Sequence, residues 1–141
     1  MSGAQQIWWP EPAAGDIVWC MFPYLPDLAP GRKPRPVLVI KMFDDEAPEY
    51  GVMVAYGTSQ KIHRLLAGEF ALRKQTDSAA YRLAGLSYDT KFSFNQTFVL
   101  PFNDIWFNPP PNAAFGNTPK LGVLHPAVTT RAAKAWKAST P

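Results

Sequence analysis

The residues best equipped for chemistry fall in two short runs. In GRKPRPVLVI, residues 31–40, Arg32, Lys33 and Arg35 precede an unbroken series of branched apolar residues. Arg35 stands between Pro34 and Pro36, and these two restrict the backbone and so orient the side chain relative to the strand that follows. A guanidinium fork can hold two non-bridging phosphate oxygens and stabilise charge that develops on them. In VAYGTSQKIHR, residues 54–64, the hydroxyls of Thr58 and Ser59 come where an apolar strand gives out, with Gln60, Lys61, His63 and Arg64 directly after. Two hydroxyls there suit a scissile phosphate or its leaving oxygen. An imidazole such as that of His63 can serve as acid or base. Cations for a phosphorane and a group to move the ribose 2'-hydroxyl proton are what a metal-independent ribonuclease requires. A plainer reading stands beside this one, in which the basic turn is only solvated and His63 is structural.

Other signatures are missing. No glycine-rich loop leads into Lys-Ser or Lys-Thr, no zinc-ligand spacing occurs, and His63 and His125 are far apart in the chain, so neither a metal nor a cofactor is expected. Nothing sets Ser59 on a nucleophile elbow. Cys20 is the single cysteine. An internal disulfide is therefore impossible, and its setting in IVWCMF reads as a small buried hydrophobe.

Strands must carry these residues. Residues 16–22, 37–41, 50–56 and 90–102 read as strands, the second apolar enough to be central. Along 90–102, Phe92, Phe94 and Gln96 are expected on one face, and Lys91, Ser93 and Asn95 on the other. The acidic set Asp44, Asp45, Glu46 and Glu49 reads as a solvated hairpin connection. SAAYRLAGL suits a short helix that stops at Gly85. HPAVTTRAAKAWKA, residues 125–138, suits a C-terminal helix with Pro126 in its first turn and a basic edge of Arg131, Lys134 and Lys137. Residues 1–15 read as an extended lead that Trp8 and Trp9 tack to the body or to a second subunit. Residues 102–123 read as an irregular, insertion-like span.

The expected fold is thus mainly β with added helices (α+β), in one domain over all 141 residues. An apolar content of 47% against 18% charged residues argues against disorder. The 15 prolines favour short strands with irregular links over long helices. A formal charge of +3 permits an anionic partner without demanding one. MSGAQQIWWPEP lacks the basic start and apolar run of a signal peptide, and no stretch reaches the roughly 20 apolar residues of a membrane span. A cytoplasmic protein with no membrane contact is the expectation.

The order of segments adds a resemblance. GDIVWCMFP, a long connection, RKPRPVLVI, a variable hairpin and VAYGTSQ are similar to the opening of the PemK/MazF family of toxins from toxin–antitoxin pairs, over roughly residues 14–101. The resemblance implies a small SH3-like β-barrel with a short internal helix and a C-terminal helix, and a homodimer. It also implies a toxin-like endoribonuclease that cleaves single-stranded RNA without metal by 2'-hydroxyl attack, held in check by a cognate antitoxin. Arg35 then corresponds to the family's strand-entry arginine, Thr58 and Ser59 to its strand-end hydroxyls, and residues 23–34 to a mobile loop bordering the groove. Arg32, Lys33, Gln60, Lys61 and Arg64 become RNA contacts. Where family nucleases often carry an arginine and an aspartate two residues apart, this chain has Lys91 and Ser93. Lysine still holds phosphate as a point charge, but serine is no unassisted base; Asp89 in the preceding turn is the nearest substitute. The alternative is a catalytically impaired barrel that binds nucleic acid, or a protein partner such as gyrase, without hydrolysis.

Overall fold

The apolar run that starts at Pro36 is unbroken because its strand is covered on both faces. In the computed structural model, which describes residues 6–23, 29–113 and 115–140, Val37 and Val39 join one hydrophobic cluster while Leu38 joins another, with Ile40 packed against the latter. A strand buried on both sides shows no polar alternation.

The strands are β1 (Asp16–Cys20), β2 (Arg35–Phe43), β3 (Gly51–Thr58), β4 (Glu69–Leu72), β5 (Thr90–Pro101) and β6 (Lys120–Val123). They form one antiparallel sheet in the order β4-β5-β3-β2-β1-β6, curled into a half-barrel. Two short helices, α1 (Ser78–Leu83) and α2 (Thr129–Lys137), complete the mainly-β fold expected from the sequence.

One face of the sheet packs under the helices. Ile17, Leu38, Phe70, Phe92 and Phe94 meet Ala80 from α1 and Ala84 just past its end, and Ala132 and Ala135 from α2. The other face is covered by the lead and by residues 102–107. Trp9 donates its indole N–H to the Phe107 carbonyl (2.9 Å), and Phe102 and Phe107 pack edge to face against each other. Trp9 therefore tacks the lead to its own chain.

The outer edge of β4 is occupied by α2. On β4 the outward Ala71 carbonyl accepts from Arg131 Nη1 of α2 (2.8 Å), which caps a row of backbone groups that would otherwise remain open to pairing. Asp77 accepts from the other nitrogen, Nη2 (3.0 Å). Arg131 is thus a clamp between α2, β4 and the start of α1, not part of a solvated basic edge.

Several boundaries differ from the sequence reading. β3 runs on to Thr58, so this threonine ends the strand and Ser59 opens the turn. The C-terminal helix begins with a 3-10 turn at Pro126–Val128, where His125 Nδ1 accepts from Ala127 N (2.9 Å). Residues 120–123, expected to be irregular, are the strand β6 beside β1; Leu121 is the one fully apolar signal on its inner face, too short a pattern to read. The alternation expected through Gln96 stops early. Partners along β3 jump from Thr97 to Ser93 in one step, leaving residues 94–96 as a bulge, with Gln96 exposed. Among the described residues no helix is long and apolar enough to cross a membrane.

Candidate functional site

Arg35 begins β2 and Thr58 ends β3, and antiparallel pairing of these strands brings the two to the same end of the sheet. Their backbones approach closely there. A Cβ on Gly57 would collide with the Pro36 carbonyl, so only glycine fits between Tyr56 and Thr58. Thr58 Oγ1 accepts from Gln60 N (3.1 Å), a turn that ties Gln60 to the strand end. Arg35 extends over Tyr56, its guanidinium carbon 5.4 Å from the ring centroid, within cation–π range.

Next to this strand end lies a cavity of about 360 Å³. Lys33, Arg35, Thr58, Ser59 and Gln60 line it, so the two runs singled out in the sequence converge. Segments distant in sequence complete it: Trp19 from β1, residues 85–88 after α1, Thr90, residues 110–112, and Leu121 from β6. No carboxylate and no imidazole is among these lining residues. Two cationic residues, several hydroxyl-bearing ones and apolar ones among the lining suit a ligand with one anionic part and one flat or apolar part.

The remaining candidates stand elsewhere. Lys91 pairs with Thr58 across β3 and β5, yet it is buried and does not line the cavity. Its ammonium contacts Glu69 Oε1 (2.9 Å) and donates to the Arg64 carbonyl (3.0 Å), which occupies two of its three donors. Glu69 is the diagonal cross-strand neighbour, since Lys91 sits opposite Ala71. With a carboxylate this close and both side chains under 10% exposed (8% and 6%), Lys91 serves the fold. Ser93 is fully buried, and its hydroxyl accepts from Asn95 N (3.2 Å). Asp89 Oδ1 accepts from Lys74 N (2.8 Å), and Asp89 is not among the residues that line the cavity. Arg32, Lys61, His63 and Arg64 are exposed and outside the cavity lining. Of the connection at 23–34 likened to a mobile loop, residues 24–28 lie outside the described residues.

Burial pushes the Cys20 thiol far up, so it stays protonated and unreactive. Among the described residues no cluster of His, Cys, Asp and Glu could hold a metal ion.

Sequence reasoning missed Trp19, Tyr88, Asn112 and Glu69. Trp19 and Tyr88 carried no signal beyond being aromatic. Asn112 was visible only as part of NPPPN, a loop marker. Glu69 could have been found by pairing the weak strand AGEF against TKFSF and asking what neutralises Lys91. Compared with models of known protein families and with curated proteins, the chain matches none.

Proposed function

We propose that the protein is a toxin-like endoribonuclease that binds single-stranded RNA at this cavity and cleaves it without metal. The observation that carries the reading is the convergence of Arg35, Lys33, Thr58 and Ser59 on one cavity whose described lining residues include no carboxylate. Such a lining attracts a phosphodiester and does not repel it. In the reaction the ribose 2'-hydroxyl gives up its proton to water and attacks the adjacent phosphorus, the P–O5' bond breaks and the 5'-oxygen takes a proton from water, and a 2',3'-cyclic phosphate remains. Arg35 stabilises the charge on the phosphorane oxygens, and Thr58 and Ser59 position the phosphate. Arg32, Lys61 and Arg64, exposed outside the cavity, hold flanking phosphates. A cognate antitoxin and a homodimeric, cytoplasmic protein belong to the same reading.

The test is incubation of defined single-stranded RNA in EDTA, followed by analysis of the ends. Wild type yields 2',3'-cyclic phosphate ends, and Arg35→Ala loses about 10²–10³-fold in rate while keeping its unfolding midpoint. Undiminished cleavage by that variant sinks the assignment.

A second reading, binding without hydrolysis, is favoured by one specific observation: among the described residues that line the cavity, none is a histidine or a carboxylate that could take the 2'-hydroxyl proton. Tight RNA binding with no cyclic phosphate ends selects it.

A further inference from the structure

The cavity lining is of two chemical kinds, and phosphate binding uses only one. Besides Lys33, Arg35, Thr58 and Ser59, the lining includes Trp19, Leu86, Pro110 and Pro111, which are apolar, and Tyr88, an aromatic residue that is 72% exposed. At about 360 Å³ the cavity lies near the lower end of ligand-pocket sizes, about 300–1,000 Å³. That is room for one nucleotide unit, not for a length of strand.

The segment that closes the cavity is built to be rigid. Asn108 N donates to the Trp19 carbonyl (3.3 Å), which anchors the span to β1. Pro109, Pro110 and Pro111 follow, each with its φ fixed. Ala113 N then bonds back to the Pro110 carbonyl (3.0 Å), so Asn112 is presented from a closed turn. On the other side Gln60 is held through its backbone bond to Thr58 Oγ1. The side-chain amides of Gln60 and Asn112 make no hydrogen bond to any described residue, and both residues line the cavity and are exposed. Amides offer a donor and an acceptor together, the pattern that reads a base edge.

We infer that this cavity is a one-nucleotide subsite: a base of single-stranded RNA stacks on Trp19 and Tyr88, its phosphate lies by Arg35, and Gln60 and Asn112 read its edge. The inference rests on the RNA reading above and assigns residues 108–113 a purpose, the selection of sequence. Stacking supplies affinity for any base, whereas the two amides discriminate among them.

Fluorescence anisotropy with four labelled 2'-O-methyl hexanucleotides, one for each base, tests it; the methyl group removes the nucleophile, so cleavage cannot intrude. Wild type ranks the four. Tyr88→Ala weakens all of them by about 5- to 100-fold and keeps the order. Gln60→Ala and Asn112→Ala retain most of the affinity for the weakest oligomer but compress the ranking to within about threefold, the loss of one to two edge hydrogen bonds. These three side chains are exposed, so folding is not at stake, and circular dichroism checks it. Equal wild-type affinities, an unchanged ranking in both amide variants, or wild-type binding by Tyr88→Ala overturns the subsite. If any of these occurs while Arg35→Ala still weakens all four equally, the phosphate reading survives alone. If wild type binds none of the four, both fall.

Discussion

Strands β2 and β3 run between two hollows of opposite chemistry. Where β2 begins and β3 ends, Lys33, Arg35, Thr58 and Ser59 line the cavity. Where β2 ends and β3 begins, Asp45, Glu46 and Glu49 line a shallower hollow of about 440 Å³ with Trp8, Phe43 and Tyr50. A nine-residue strand separates them, about 25–30 Å at the rise of an extended chain. The acidic hollow takes its carboxylates from one exposed turn, residues 44–49. The cationic one is assembled from at least five segments, and strand register places Arg35 at the same end of the sheet as Thr58. One end is a property of local composition; the other is a property of the fold.

Charge type alone therefore does not mark a functional cation, as Lys91 shows. It is in register with Thr58 but spends its charge on Glu69. Glu69→Ala should be the most damaging single change to the fold, about 3–5 kcal/mol, because it strands a buried ammonium. Replacing both partners at once, as in Glu69→Leu with Lys91→Met, should recover most of that loss. Urea denaturation of the three proteins measures it. An undisturbed Glu69→Ala protein would mean that Lys91 finds another anion, and it would return as a candidate for the RNA end.

Next in size is the strand junction itself. Gly57→Ala drives a methyl group into the Pro36 carbonyl and should cost about 1–3 kcal/mol. It also separates Arg35 from Thr58, so RNA affinity should fall by more than the stability loss explains. Equal affinity for RNA under fully folded conditions would show that the spacing of β2 and β3 does not set the cationic end.

A carboxylate outside both hollows separates effects of charge on stability from effects on binding. Burial pushes the Asp77 carboxyl up, but the hydrogen bond from Arg131, the Arg73 amide and the Arg131 charge outweigh it and hold it below the ordinary carboxylate range. A lowered folded-state value stabilises the protein at any pH above the unfolded-state value, about 3.9. That contribution disappears as pH falls through the folded-state value. Arg131 is 45% exposed, so the clamp is worth about 1 kcal/mol. The difference in unfolding midpoint between wild type and Asp77→Asn should be constant from pH 7 to 5, begin to shrink near the unfolded-state value of about 3.9 and vanish only below the folded-state value. A difference that persists in acid means that the clamp is held by neutral hydrogen bonds.

The sequence made legible whatever depends on one segment. The strand at VLVI, the hydroxyls at the end of YGTS, the acidic turn and the stop at Gly85 follow from apolar runs and turn chemistry. Gly85 does carry the positive φ (71°) that such a stop requires. What needs two segments at once stayed hidden. The bulge at 94–96 depends on how β5 must bend to pair with both β3 and β4. The pairing of Lys91 with Glu69 depends on register, and the fourth strand had too few residues to advertise one. Asn112 and Tyr88 reach the cavity through loops whose paths no periodicity encodes.

The smallest effect is the most exacting test of whether the two hollows act independently. Neutralising the acidic one with Asp45→Asn, Glu46→Gln and Glu49→Gln removes three negative charges far from the cavity. At physiological salt, charges interact over about 8 Å, well short of the strand length between the hollows, so the RNA association rate should not change. At about 10 mM salt the range grows to about 30 Å, and the rate should rise, by about twofold, as repulsion of the incoming phosphates is relieved. Stopped-flow association at both salt concentrations reads this directly. A clear acceleration at physiological salt would put RNA close to the acidic turn, and the bound strand would then extend along β2 and β3 from one hollow to the other instead of remaining at the cationic end.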